Sequence, residues 1–371
     1  MPTQLAPAEV LSAGMFTPVG LYARAAAAAI RGDIGRALEE AFYNRIPEPQ
    51  VVALIGEEYL SDISRVDDRG MTSAHCRMLQ LGAPALAEAA EGMSQPLPVM
   101  LALPEVPRGE RDAIGPAFLE QLAIEAEVKL ALAESRVFRQ GGAGGMSALA
   151  EGLKLLGKKG TPYVLVGGID TFMSPRRLED ASLEGRLKAS DSMDYFIPGE
   201  GASFLLLGAP GRAKRAGERV LAEVVAVGLG KEPGHRYSSQ PYRGDGLAET
   251  FRNLFAQVPA DFPPVGCVYA GFNGENLPAK EWMVASTRSS KRFDKEEVSM
   301  HHPADCVGDA GAALGPIMLA CAAIGLQRGY RTSPCLVWST GDNETRGAVL
   351  LQASRTALAV VREDPWAGEG P

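Results

Sequence analysis

The feature that most constrains the fold of this chain is a strand, a glycine turn and a helix that follow one another within residues 135–208. Residues 136–138 predict a short strand, residues 141–145 form the turn with the sequence GGAGG, and residues 147–156 predict a helix. A strand that enters a tight turn and leaves as a helix commonly presents a reactive side chain at the helix N-terminus. This turn holds glycines and one alanine, so it contains no nucleophilic side chain.

Strands and helices alternate along the rest of the chain, which is typical of a layered α/β architecture. The other predicted strands are residues 9–14, 99–103, 163–166, 203–207, 220–227, 266–270, 335–339 and 348–352. The predicted helices are one that starts at Thr17-Pro18 and stops at Gly32, and residues 34–42, 76–90, 116–132, 246–255, 275–287 and 310–327. Residues 178–194 and 211–218 predict polar surface loops.

Size and charge exclude some classes of protein. The 371 residues suggest one large α/β unit or two fused halves, and 46% hydrophobic residues are enough for a substantial core. The net charge of −8 and the absence of a basic block argue against nucleic-acid binding. The uncharged run 310–326 is too short to span a bilayer and predicts a buried helix instead.

Cysteine usage and the N-terminus suggest a cytoplasmic protein. The five cysteines are scattered and form no CxxC pair, which fits reduced thiols better than a disulfide framework. The N-terminal residues lack the charged and apolar regions of a signal peptide. No four-ligand spacing for a metal is present, and we predict neither a metal nor a cofactor.

Two similar segments suggest an internal duplication. GGAGGMSALAEG and VGDAGAALGP each place a glycine-rich turn before a helix of small residues. We therefore predict an N-terminal half over residues 1–225, a C-terminal half over residues 226–360 and a flexible tail over residues 361–371.

The order of motifs resembles the β-ketoacyl synthases of the thiolase-like superfamily. The motifs are VLSAGMFTPVG, MSALAEGLKLLGKKGTPYVLVGGID, PGEGASFLLLG and AKRAGERVLAEVVAVG, and the resemblance covers residues 8–355. It implies an α/β, thiolase-like five-layer α-β-α-β-α fold with two similar halves. The helix after the glycine turn and the helix over residues 310–326 would lie at its centre. It also implies a homodimer that pairs through residues 135–139.

The family's chemistry uses a cysteine nucleophile and two histidines, or a histidine and an asparagine. By resemblance, the cysteine position is taken by Gly142 and the first histidine position by Asn273, in YAGFNGENL. The second falls on Gly308 or Asp309, in CVGDAGAALG, with the alignment open by one residue. No cysteine lies between Cys76 and Cys267, so a shifted alignment cannot supply the nucleophile.

Other groups leave alternatives open. Cys306, near His301 and His302, is a candidate replacement nucleophile, although an ordinary loop is the favoured interpretation. The turn, through Gly141, Gly142 and Gly144, could bind an anion or a substrate together with Asn273, or could be tight for packing alone. Glu200 in the GEGA motif is interpreted as structural, and Asp309 could equally cap a helix.

Two functional hypotheses follow from the resemblance. The first is a ketosynthase-like pseudoenzyme that acts as an adaptor, chaperone or partner subunit. The alternative is an acyltransferase or decarboxylase that binds acyl-CoA or acyl carrier protein and works without the cysteine. A positive patch at the pocket mouth, formed by Arg176, Arg177 and Arg186, would favour the alternative.

Overall fold

Two five-stranded sheets form the frame of the fold and join edge to edge into one ten-stranded sheet. The computed structural model describes residues 7–40, 49–106, 112–158, 160–188, 193–213 and 219–354. Its strands are β1 (Ala8–Phe16), β2 (Leu38–Glu40), β3 (Gln50–Val52), β4 (Val99–Leu103), β5 (Arg136–Arg139), β6 (Tyr163–Thr171), β7 (Glu200–Gly208), β8 (Ala222–Lys231), β9 (Cys267–Ala270), β10 (Ser299–His301), β11 (Cys335–Thr340) and β12 (Thr345–Gln352). Strands β2 and β3 pair separately as a small hairpin-like sheet.

The two sheets have the same strand order and direction. The order is β5-β4-β6-β7-β1 in the first and β10-β9-β11-β12-β8 in the second. Within each, the first three strands are mutually parallel and the last two run antiparallel to their neighbours. Strand β1 also pairs antiparallel with β8 over Ala8–Val10 and Ala222–Val224, which joins the sheets. The predicted pair of similar halves is therefore confirmed.

Helices fill the three remaining layers. They are α1 (Ala23–Arg31), α2 (Ser73–Ala89), α3 (Phe118–Glu125), α4 (Gly144–Leu156), α5 (Pro175–Leu183), α6 (Asp245–Phe255), α7 (Asn276–Arg288), α8 (Ala304–Val307) and α9 (Leu314–Gln327). One apolar cluster packs α4 and α9 between the sheets, a second packs α2 and α3 on the outer face of the first sheet, and a third packs α6 on the outer face of the second sheet, with α7 against it. The predicted five-layer arrangement is confirmed.

Small residues let the two central helices and the sheets approach closely. Every residue of α9 is buried. A Cβ atom added at Gly145 of α4 would lie 2.5 Å from Cδ of Pro316 in α9, and one added at Gly168 of β6 would lie 2.2 Å from the carbonyl oxygen of Ala312. Both distances are below van der Waals contact, so glycine is required at these crossings. Within the described ranges, no helix is long and apolar enough to cross a membrane.

Several local predictions were wrong. The first helix begins at Ala23 instead of Thr17-Pro18, because Thr17 and Gly20 exchange backbone hydrogen bonds in a turn. Residues 38–40 form strand β2 instead of part of a helix, and residues 41–42 lie outside the described ranges. The helix predicted over residues 116–132 ends at Glu125, after which Glu127 adopts a positive φ of 55°.

The segment 178–194 is not a plain polar loop. It begins within helix α5, where Leu178 and Ala181 are buried and pack with Leu187 and Phe196. Arg186 is buried as well. The helix was missed because charged residues dominate this segment. Its two apolar positions are three residues apart, a spacing that places them on one helical face.

Other boundaries shift by a few residues. The two central helices begin at Gly144 and Leu314, each after one turn of 3₁₀ helix over Gly141–Ala143 and Gly311–Ala313. Residue 225 lies inside β8, and the division of the chain at that residue stays a prediction. The predicted tail 361–371 and most of the predicted loop 211–218 lie outside the described residues.

Candidate functional site

A cavity of about 490 Å³ opens where the glycine turn, the end of β9 and the loop after β11 meet. Gly141, Gly142, Asn273 and Asp309 all line it. The fold therefore brings together the positions at which the resemblance implies a nucleophile and two histidines. Their functional roles stay predictions.

Two other predicted positions, Gly308 and Gly144, lie outside the cavity lining and are tightly packed. Gly308 adopts a φ of 70° and packs against Gly199, where an added Cβ would lie 2.9 Å from the Gly199 Cα. Gly144 packs under Ala102, at 3.1 Å for an added Cβ. Because Asp309 rather than Gly308 faces the cavity, it is the better candidate for the second histidine position.

The glycine turn is closed against the C-terminal end of β11. A Cβ atom added at Gly142 would lie only 2.5 Å from the carbonyl oxygen of Thr340. The hydroxyl of Ser339 also donates a hydrogen bond of 2.7 Å to the carbonyl oxygen of Gly142. The space that a side chain at residue 142 would need is therefore occupied by the chain's own backbone.

Asn273 and Asp309 contact each other directly. The Asn273 amide Nδ2 donates to Asp309 Oδ2 at 2.8 Å and to Glu275 Oε2 at 3.0 Å. The other Asp309 oxygen accepts the backbone N–H of Gly311, the first residue of the 3₁₀ turn, at 2.9 Å, although Ala310 and not Asp309 is the N-cap residue of that turn. Burial raises the pKa of Asp309, and the hydrogen bonds from Asn273 and Gly311 oppose that shift.

Two arginines and two carboxylates form a closed network at one wall of the cavity. Arg186 donates two bonds to Glu275, at 2.9 and 2.8 Å, and two to Asp342, at 2.8 and 3.2 Å. Arg236 donates to Asp342 at 2.9 Å and to Glu275 at 2.8 Å. Burial acts to raise the pKa of Asp342, but the charges of Arg186 and Arg236 outweigh it and lower that pKa.

The three arginines that could have formed a positive patch at the mouth, for which a solvated surface is the favoured interpretation from the sequence, are each paired with an acidic side chain. Arg177 donates to Asp170 at 2.5 Å and Arg176 pairs with Asp180 at 3.3 Å, while Arg186 belongs to the network above. Acidic side chains outnumber arginines in the lining. The acids are Glu105, Asp170, Asp180, Glu184, Glu275, Asp309 and Asp342, and the arginines are Arg177, Arg186 and Arg236. The cavity wall is therefore acidic.

Glu105, which sequence reasoning missed, lies beside the glycine turn. Its Oε1 is 3.3 Å from the place of an added Cβ at Gly141, and the Asn343 amide donates to its Oε2. Burial raises the pKa of Glu105 to about 7, and the charge of Asp342 adds to the shift. The available signal was its place just after β4, because ligands of α/β sheets bind beyond the carboxyl ends of parallel strands.

The remaining candidates lie outside the cavity lining. Cys306 is buried in the short helix α8, and burial raises the pKa of its thiol to about 11. The rings of His301 and His302 pack on different partners, Tyr269 and Phe272. Among the described residues, no group of three His, Cys, Asp or Glu side chains is arranged to hold a metal ion.

Glu200 has a packing environment that suits the structural interpretation. Its side chain is fully buried and accepts hydrogen bonds from the Ile55 N–H at 2.8 Å, the Thr171 hydroxyl at 2.8 Å and the Arg77 guanidinium at 2.6 and 3.0 Å. These bonds tie the start of β7 to helix α2 and to the segment after β3.

Solved ketosynthase structures are similar to this chain, whereas no protein-family model matches it. The ketosynthase from module 6 of the bacillaene synthase of Bacillus subtilis 168 superposes with a TM-score of 0.76 at 13% identity, over 94% of this chain and 72% of that one. The ishigamide ketosynthase/chain length factor gives a TM-score of 0.72 at 14% identity, over 94% of this chain and 100% of that one.

A third similar structure is a type II polyketide acyl-carrier protein in complex with its ketosynthase bound to the hexaketide. It gives a TM-score of 0.71 at 14% identity, over 95% of this chain and 100% of that one. At these identities the likeness shows the fold alone. The predicted thiolase-like fold is confirmed.

Proposed function

We propose that this chain is a ketosynthase-like pseudoenzyme, which lacks cysteine-dependent condensation and acts as an adaptor, chaperone or partner subunit. The observation that carries the proposal is the contact at Gly142, where the Thr340 carbonyl occupies the space of a side chain. Condensation by the covalent route requires a thiolate at the helix N-terminus to form the acyl thioester. Neither the residue nor the space for it is present there.

The five cysteines of the chain are poor replacements for a nucleophile at residue 142. A thiol with a pKa of about 11, such as that of Cys306, is ionised to only about one part in ten thousand at neutral pH. None of the five cysteines, all of which lie in described ranges, belongs to the cavity lining. The acidic wall further disfavours a malonyl group, because its carboxylate would meet like charges.

The neighbouring structures suggest the kind of partner. One is a carrier protein in complex with its ketosynthase and another is a ketosynthase/chain length factor. We therefore propose an acyl carrier protein or a ketosynthase subunit as the partner of this chain, in addition to a second copy of itself. A cytoplasmic location stays part of this proposal.

Intact-mass spectrometry after incubation with malonyl-CoA and acyl-CoA tests the proposal, with thermal shift on the same samples. We expect no acyl adduct and no shortened thioester, while an active ketosynthase run in parallel acquires the adduct. An adduct on any residue of this chain would contradict the proposal. If no adduct forms, co-purification with a carrier protein or a ketosynthase would identify the partner.

One observation favours a second candidate, a decarboxylase or acyltransferase without a cysteine. The cavity has the volume of a small-molecule site, and Glu105 within it can give or take a proton near neutral pH. For this candidate, release of CO₂ or free thiol from acyl-CoA substrates should fall about 100-fold in Glu105→Gln. Absence of turnover in the unchanged protein would eliminate it.

A further inference from the structure

A second cavity, of about 370 Å³, lies between helix α1 and the C-terminal end of α9. It shares no lining residue with the acidic cavity. Its lining combines small or apolar side chains with three arginines and a tyrosine. The residues are Arg24, Ala27, Ala28, Arg31, Gly32, Ile324, Arg328 and Tyr330. We call this cavity the arginine groove.

The groove follows from side-chain spacing on two helices. Arg24, Ala27, Ala28 and Arg31 are separated by three, one and three residues, which places all four on one face of α1. The two alanines are small, so this face is hollow between its two arginines. Ile324 belongs to α9, and Arg328, four residues later, is its C-cap. The floor is therefore apolar and the rim is cationic.

Arg31 and Arg328, two of the three rim cations, have no ion-pair partner within the described part of the chain, whereas Arg24 has the Glu88 carboxylate nearby. No carboxylate lines the groove there, and no ion pair involves Arg24, Arg31 or Arg328. The Glu88 carboxylate lies near Arg24 but accepts the backbone N–H groups of Ala23 and Met15.

Tyr330 contacts one of the three rim cations, Arg31. The Arg31 guanidinium stacks over the Tyr330 ring at 4.1 Å, and that of Arg331 lies 5.2 Å from the same ring. Arg331 also donates to the Tyr269 hydroxyl at 3.0 Å. The dipoles of α1 and α9 explain one cation at each helix C-terminus, but they do not explain an open apolar floor between them.

We propose that the arginine groove binds an organic phosphate, with its phosphate on Arg31 and Arg328 and its apolar part on Ala27, Ala28 and Ile324. Guanidinium groups bind phosphate through paired, charge-assisted hydrogen bonds. This proposal is independent of the function proposed for the acidic cavity.

Isothermal titration calorimetry at low salt tests the proposal with hexyl phosphate, inorganic phosphate and hexanol. We expect hexyl phosphate to bind most tightly, inorganic phosphate more weakly and hexanol not at all. Arg31→Gln and Arg328→Gln should each weaken hexyl phosphate binding tenfold or more, since each removes a charge-assisted bond. Arg252→Gln, which removes an exposed cation on α6, should leave it unchanged.

A second variant separates the floor from the rim. Ala28→Leu fills the hollow without changing charge, so it should abolish the advantage of hexyl phosphate over inorganic phosphate. Thermal unfolding of each variant shows whether it is folded. Equal binding by Arg31→Gln, Arg328→Gln and Arg252→Gln would overturn the proposal. Binding to vesicles that contain phosphatidic acid, without binding of hexyl phosphate, would overturn it in favour of a membrane surface.

Discussion

Gly142, which has no side chain, permits a close backbone contact at the glycine turn. Gly142 lets the backbone of the turn meet the end of β11, where the Thr340 carbonyl oxygen lies 2.5 Å from an added Cβ and the Ser339 hydroxyl donates a hydrogen bond to the Gly142 carbonyl. A cysteine placed at residue 142 would therefore meet the backbone at the end of β11 in the space that its side chain needs.

Gly142→Cys should destabilise the protein and should not become acylated. Overpacking of this kind costs about 1–3 kcal/mol. Urea unfolding measures the loss, and intact mass after incubation with acyl-CoA measures acylation. Gly157→Cys is a matched control, because the nearest atom to its added Cβ is 3.4 Å away, and it should cost less. Stoichiometric acylation of Gly142→Cys would show that the turn opens readily.

Glu105 should make the stability of the protein depend on pH. Its pKa is raised from 4.5 to about 7, so the folded state binds a proton more tightly than the unfolded state. The free energy of unfolding should fall as pH rises from about 4.5 to 7, because the folded state must then ionise a buried carboxyl. Glu105→Gln should lack this component, and its stability relative to the unchanged protein should rise across that window.

Urea unfolding at pH 5, 6, 7 and 8 measures the effect of Glu105. The difference between the two proteins should grow by about 1–3 kcal/mol and level off above pH 7. A constant difference across the series would contradict the raised pKa. Glu134→Gln, which replaces an exposed carboxyl, serves as a control.

Sequence reasoning found part of the cavity and missed the rest for a physical reason. Motif order placed Gly142, Asn273 and Asp309 at related positions, and the fold brings them together. Glu105 and Asp342 belong to no motif. They reach the cavity because the segments after β4 and β11 meet there, where the Asn343 amide donates to Glu105, and that meeting depends on the arrangement of the two sheets rather than on local sequence.

At the scale of elements, strand β5 is the exposed end of the first sheet. It pairs with β4 on one side, and the structure gives it no other strand partner among the described residues. Val137 is 42% exposed, which is high for an apolar residue at the edge of a sheet. An unpaired edge of this kind favours pairing with another chain.

We therefore expect a homodimer through β5, as the resemblance implied. Light scattering should give twice the chain mass of 39.2 kDa. Val137→Asp should yield a monomer, because the symmetry of an isologous interface brings the new charges near each other. Met283→Asp changes a more exposed apolar position, on α7, and should remain dimeric. A monomeric unchanged protein would contradict the expectation.

A buried ion pair joins β12 to helix α7. The Arg346 guanidinium donates to both Glu281 oxygens at 2.6 to 2.9 Å and also to the Gly341 carbonyl at 2.8 Å. Both side chains are essentially inaccessible to solvent. The pair therefore also anchors the loop that supplies Asp342 to the cavity.

Arg346→Met should cost about 3–5 kcal/mol, because it leaves the Glu281 charge buried without a partner. Adding Glu281→Leu should recover part of that loss, since the double variant has no buried charge. Chemical denaturation of the four proteins of this cycle measures both terms. Arg288→Met breaks the exposed pair with Asp245 and should cost below about 1 kcal/mol. Additive losses in the double variant would contradict this account.

At the scale of elements, strongly periodic segments were predictable and polar ones were not. Strand β4 and helix α6 lie almost where periodicity placed them. Helix α5 was missed because its charges outnumber its buried residues, Leu178 and Ala181. The turn at Thr17 imitates a helix start because a threonine before a proline is common in both settings.

At the scale of the whole molecule, the two halves share strand order, strand direction and a glycine with positive φ at the start of each central turn. Those glycines are Gly141 at 51° and Gly311 at 48°. The layer of α4 and α9 is built from residues of both halves. Neither sheet can bury its inner face without the other half, so the halves should unfold together.

Coincident unfolding transitions would test this cooperativity. Trp282 and Trp338, which stack at 5.7 Å, lie in the second half, so tryptophan fluorescence reports mainly on that half, whereas far-UV circular dichroism reports on both. The two probes should give one midpoint in urea. Separate midpoints would show that residues 1–225 and 226–360 behave as independent domains.

The full burial of helix α9 limits which substitutions its positions can accept. The helix packs between two sheets, so a substituted side chain must keep nearly the same volume as the original one. Side chains on the solvent side of a cavity wall can change volume more freely, because solvent fills the space that a smaller side chain leaves. Ketosynthase structures at 13% and 14% identity therefore share the fold of this chain although most of their residues differ from it.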